Sequence, residues 1–162
     1  MLHGVFALVQ DRLPRRWHRA VFALYPPLIG AGIVVEKVSD DLTSLDVRLM
    51  ALPWTRNIHG THFGGSIYAM TDAFYAYMLQ VALGSAYVAW AKAANIKFRR
   101  PGRGTLRAQF RLPADVVETV KRQVDEKGRA EARFLVEVKD VAGEVVAQIE
   151  KIVTVKPRVV RR

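Results

Sequence analysis

The chain has 162 residues, 51% of them apolar, which suits one domain of ordinary size with a real core and argues against disorder. It contains no cysteine, so disulfide frameworks, thiolate metal sites and cysteine nucleophiles are excluded, and a reducing, cytoplasmic setting is the expectation. Lys and Arg number 25 against 15 Asp and Glu, a net charge of +10, which favours anionic partners: nucleic acid, anionic lipid or a phosphorylated small molecule.

Residues 1–28 read as an N-terminal helical extension to a domain over 29–162. Val5, Leu8, Val9, Leu13, Trp17, Val21 and Leu24 recur at helical spacing, Pro14 kinks the run, and Tyr25-Pro26-Pro27 stops it. The helix either packs on the domain's own surface or, helped by Arg12, Arg15, Arg16 and Arg19, serves as a lid or a membrane-surface helix. The chain has neither the order of charge and apolarity of a secretory signal nor an apolar run of about 18 residues, so no membrane span is expected.

Two short strands follow. One is led by Ile33, Val34 and Val35; in the other, Leu45, Val47 and Leu49 alternate with Ser44, Asp46 and Arg48. Pro53 opens a loop that ends in Phe63-Gly64-Gly65, and a helix is predicted over 65–82, with Ile67, Met70, Phe74, Tyr77 and Val81 on one stripe and Gly84 as terminator. The second half reads as antiparallel strands. Ile96 and Phe98 alternate with Lys97 and Arg99; after a turn at Pro101-Gly102 and Gly104, Leu106, Ala108, Phe110 and Leu112 alternate with polar residues. A short helix over about 114–126 stops at Gly128, and strands through Ala130–Val138 and Val145–Val155 join at a hairpin turn on Gly143. A long apolar helix wrapped by a curved antiparallel sheet is an α+β layout.

The chemistry concentrates in NIHGTHFGGSIYAMTD, residues 57–72. A helix N-terminus presents unpaired N–H groups and a positive dipole end, and glycines let a substrate approach them, so Gly64 and Gly65 can polarise a carbonyl. Asp72, seven residues beyond Gly65, returns to within about 20° of the same helix face, roughly 10 Å further along. From spacing alone it is either a solvent-facing acid or a carboxylate that activates water or attacks directly. Gly-Gly also serves a tight helix entry. His59 and His62 lack a clustered third ligand, so local hydrogen bonding rather than metal binding is expected of them.

Asn57-x5-Phe63-Gly64-Gly65-x6-Asp72, in this strand order, resembles the hotdog-fold acyl-CoA thioesterases of the phenylacetic-acid-degradation type, whose pattern is Asn-x5-His-Gly-Gly-x6-Asp/Glu, and in particular a little-characterised bacterial branch of that superfamily. The resemblance covers about residues 30–156. It implies a hotdog fold, pairing of two copies into a homodimer, possibly a tetramer, and active sites at the interface. The Gly64 amide would polarise the thioester carbonyl, Asp72 from the partner subunit would act as base or nucleophile, and Asn57 would hold the water or the carboxylate. No cofactor and no metal are implied. Phe63 stands where the family has His, a departure that His62 or His59 could offset.

In FRRPGRG, Arg99, Arg100 and Arg103 suit the phosphates of coenzyme A, or form a solvated turn. Tyr68, Met70, Phe74 and Met78 are core, or the wall of an acyl tunnel. The expected function is hydrolysis of an acyl-CoA or acyl-carrier-protein thioester, with Gly65, Phe63, His62 and His59 on the substrate side. The alternative is a non-catalytic acyl-CoA-binding protein of the same fold. Nucleic-acid binding is not expected, because no recognition motif accompanies the charge.

Overall fold

A computed structural model describes residues 17–158. The Pro14 kink, the helix positions before Trp17, the arginines at 12, 15 and 16 and the chain end beyond Arg158 lie outside the described residues.

Period-2 alternation decides most of the sheet. Ala130, Ala132, Phe134, Val136 and Val138 are buried along β5 (Ala130–Lys139), and Leu106, Ala108 and Phe110 along β4 (Leu106–Arg111). With β1 (Ile33–Val38), β2 (Ser44–Leu49), β3 (Tyr87–Phe98) and β6 (Val145–Pro157) they form one six-stranded sheet in the order β1-β2-β4-β5-β6-β3. Every pairing is antiparallel. β4 and β5 share only the pairs Arg107↔Lys139 and Ala108↔Val138, whereas β5 and β6 pair from Ala130↔Val155 to Lys139↔Val145.

The central helix lies on the concave face of this sheet as two segments, α3 (Gly64–Asp72) and α4 (Phe74–Leu83), counted after two short N-terminal helices, α1 (His18–Ala23) and α2 (Pro26–Gly30). Ile67, Met70, Phe74, Met78 and Leu79 are buried against the strands, each such side chain contributing about 1.5–3 kcal/mol. This is the hotdog arrangement, a sheet curled around one helical axis.

The sequence predicts one helix over 65–82; the structure interrupts it at Ala73, directly after Asp72. Two residues earlier, Thr71 Oγ1 donates to the Tyr68 carbonyl at 2.8 Å, the back-bonding that loosens a helical turn. Tyr25-Pro26-Pro27 ends α1 as expected but also starts α2, since proline is well suited to a first helical turn. Phe98, expected to alternate inward, is 53% exposed, because β3 is an edge strand with no neighbour on its outer side. Met70, Phe74 and Met78 are fully enclosed core residues.

Helix α5 (Ala114–Lys127) packs on β5 and β6 through Val120 and Val124 and ends at left-handed Gly128. Phe22 of α1 packs its ring on Phe74 and Tyr77, with centroids 5.5 and 5.0 Å away, and the buried Tyr77 hydroxyl shares a hydrogen bond with His18 Nδ1. Burial pushes the Tyr77 phenol up to about 12. The described part of the N-terminal extension thus sends His18, Phe22 and Leu28 into the core.

Candidate active site

The loop before α3 is tied by its own side chains. Asn57 Oδ1 accepts from the amides of His59 (2.9 Å) and Thr61 (3.2 Å), and its amide nitrogen donates to Thr61 Oγ1 (2.8 Å) and the His62 carbonyl (3.3 Å). Asn57 thus shapes the 57–62 turn. His62 joins this loop to the arginine turn: its amide donates to the Gly102 carbonyl at 2.9 Å, and Nε2 donates to the Gly104 carbonyl at 2.6 Å. The His62 ring is buried, and its Nδ1 has no partner among the described residues.

Phe63 is the N-cap of α3, in extended conformation, with no side-chain cap. Two aromatic rings flank the helix mouth. A Cβ on Gly64 would lie 3.1 Å from the Phe98 ring, and one on Gly65 would lie 2.3 Å from the Phe63 ring. A side chain at either glycine would therefore have to displace one of these rings. Phe63 is 57% exposed and stands beside the mouth.

Beside this mouth opens a cleft of about 500 Å³ whose lining includes Asn57, His59, His62, Gly64, Arg99, Arg100 and Arg103. Most of the predicted residues therefore converge on one place. The arginines differ in commitment. Arg99 donates twice to Gln148 Oε1, at 3.1 and 2.6 Å, and Arg100 holds the Val145 carbonyl (3.1 Å) and Glu144 (2.6 Å). Arg103 has no such partner among the described residues, so its guanidinium is the one left for an anion. No group of three side chains able to hold a metal occurs among the described residues. A larger cleft, about 670 Å³, lies where β4 and β5 part, lined by charged strand residues and Tyr75, and contains none of the predicted site residues.

Asp72 does not line the 500 Å³ cleft. It lies eight residues beyond Gly64, about 12 Å along the helix, too far for both groups of one chain to act on one thioester carbon. Its surroundings contain what sequence reasoning missed. Asp72 Oδ1 accepts from Lys151 Nζ at 2.6 Å and from the Tyr68 hydroxyl at 3.1 Å. Lys151 is 1% exposed, while Asp72 is 50% exposed. The signal for Lys151 was its register: Ala147, Ile149, Lys151, Val153 and Val155 form the inward set of β6, and a lysine in that set requires a partner for its charge.

The sequence profile of a domain of unknown function, DUF4442, matches residues 14–155. The chain belongs to this family. No curated protein matches it. Among solved structures, this DUF4442 member is similar to a Pseudomonas aeruginosa protein of unknown function named a probable thioesterase, with 21% identity and a TM-score of 0.81 over 90% of this chain and 97% of that one. It is also similar to a Haemophilus influenzae thioesterase, with 10% identity and a TM-score of 0.65 over 91% and 94%. The PaaI protein of the Escherichia coli phenylacetic acid degradation operon gives 18% identity and a TM-score of 0.61 over 90% and 94%. These likenesses establish the hotdog fold.

Proposed function

We propose that the protein is a cytoplasmic thioesterase that hydrolyses an acyl-CoA or acyl-carrier-protein thioester as a homodimer. The observation that carries this reading is the cleft that gathers the free amide end of α3 and the arginine turn. The Gly64 N–H, at the positive end of the helix dipole, suits a thioester oxygen as it gains charge. Arg103 suits a phosphate of the donor. The exposed β3 edge, with Trp90 and Phe98 on it, supports pairing with a second copy. In that dimer the second copy's carboxylate at position 72 would complete the site.

With Asp72 as base, its carboxylate takes a proton from water as the water oxygen adds to the thioester carbon. The oxyanion is held at the Gly64 amide, and collapse breaks the C–S bond, the thiolate leaving with the proton. Direct attack by the carboxylate would instead break the C–S bond, expelling the thiolate and forming an anhydride that water then opens to the free acid and the carboxylate.

A second reading, acyl-CoA binding without turnover, is favoured by Phe63 in the family's His position. Thiol release from short, long and aromatic acyl-CoAs, wild type against Asp72→Asn, separates the two. Turnover lost in a folded, dimeric variant supports the thioesterase. Turnover that survives the substitution removes Asp72 from the chemistry. Binding without turnover by either protein supports the second reading.

A further inference from the structure

We infer that Lys151 is a positioning residue for Asp72, holding one carboxylate oxygen from inside the sheet so that the other faces the substrate; this rests on the thioesterase reading of Asp72.

Lys151 occupies an inward slot of β6 between Ile149 and Val153, opposite Ala94 of β3 and Phe134 of β5. Burying an ammonium costs several kcal/mol, roughly, and an apolar side chain of similar volume is often as stabilising, so stability alone does not account for a lysine here. Its geometry does. Nζ lies 2.6 Å from Asp72 Oδ1, 3.3 Å from the Tyr68 hydroxyl and 4.8 Å from the Tyr68 ring centroid. The adjacent Glu150 is exposed, on the opposite face of the strand.

The two hydrogen bonds to the carboxylate converge on one oxygen. Oδ1 takes both donors, and Oδ2 has none among the described residues. A half-exposed aspartate would otherwise sample several rotamers. Anchored at Oδ1 to a residue fixed by two neighbouring strands, the carboxylate keeps one orientation with Oδ2 outward. A thioester and a second copy covering Asp72 would also strip water from the anion, and Lys151 already supplies the compensating charge from beneath. Tyr68, one helical turn before Asp72, closes the arrangement.

The test is steady-state thiol release by Lys151→Met, Asp72→Asn and the double variant, with thermal unfolding of each. We expect Lys151→Met to fold, to lose about 10- to 100-fold in kcat with KM changed less than about twofold, and to add no further loss in the Asp72→Asn background. Full kcat in Lys151→Met beside an inactive Asp72→Asn overturns this inference and leaves the thioesterase reading standing. An equal added loss in both backgrounds, tracking a lower Tm, assigns Lys151 to stability and also overturns it. An active Asp72→Asn, or a wild type that releases no thiol, brings down the thioesterase reading and this inference together. If Lys151→Met does not fold, Tyr68→Phe decides: a kcat loss at constant KM that vanishes in the Asp72→Asn background supports the inference, and unchanged kcat overturns it.

Discussion

The two ends of α3 are built from different materials. At its N-terminus, polarity comes from backbone amides, from a loop whose Asn57 satisfies its neighbours, and from arginines on an adjacent turn. At its C-terminus, polarity comes from one carboxylate whose partner, Lys151, is 79 positions away in the chain. The first end is local and can be assembled by a short segment. The second exists only after β6 has found its register. Polarity divided this way can be altered at one end with little effect on the other, which makes the two ends separable by experiment.

The largest expected effect is at the C-terminal end. Asp72→Asn should lower kcat by about 10²–10⁴-fold, the usual contribution of a general base. An asparagine oxygen still accepts from Lys151, whereas Asp72→Ala leaves the ammonium without that partner. Asp72→Ala should therefore be less stable than Asp72→Asn by about 1–3 kcal/mol in urea unfolding. Equal stability of the two would mean that the ion pair does not depend on that oxygen.

At the mouth, Arg103→Ala should raise KM for acyl-CoA by roughly tenfold with kcat nearly unchanged, an effect that shrinks in high salt. Arg99→Ala and Arg100→Ala should do less, since Gln148 and Glu144 already engage those side chains. An equal rise from all three would erase the distinction drawn between them. His62→Ala should cost about 1–2 kcal/mol of stability through loss of its link to the Gly104 carbonyl, measured by thermal unfolding.

The smallest effect tests a third kind of acid. Asp41 sits far from α3 in the β1–β2 turn, held to about 2, from 3.8, by hydrogen bonds from Ser39 Oγ and from the Thr43 amide and hydroxyl. Because its folded value is depressed, its contribution is present above the unfolded value of 3.8 and is lost as pH falls toward 2. Asp41→Asn should therefore be slightly less stable than wild type at pH 5 and converge on it as pH falls through about 2, whereas Asp72→Asn should differ in turnover. An Asp41→Asn variant as stable as wild type across this range would show that these bonds are worth nothing in solution.

Most of the fold was legible because alternation over β4 and β5 and the Ile67–Met70–Phe74–Tyr77 stripe are strong periodic signals. The helix mouth was legible for a related reason: Asn57, Gly64 and Gly65 lie within one short segment. The differing commitments of the arginines were not, because they are decided by Gln148 on β6 and by Glu144 just before it, some 45 residues later. Lys151 was hidden by its neighbours: Glu150-Lys151 reads as a solvated charge pair unless the alternation from Ala147 to Val155 is counted through it. The interruption at Ala73 left only a weak trace, the threonine two residues before it.

The parting of β4 from β5 has a mechanical consequence. With two residue pairs joining them, the sheet is two three-stranded leaves, β1-β2-β4 and β5-β6-β3, sutured along a short seam. Amide exchange should open along that line before either leaf frays within. Lys151, Phe98 and the strand residues that anchor Arg99 and Arg100 all belong to the β5-β6-β3 leaf, as does the unpaired edge of β3. The other leaf carries none of these groups: it is the cover of the book, and the text is written on the facing page.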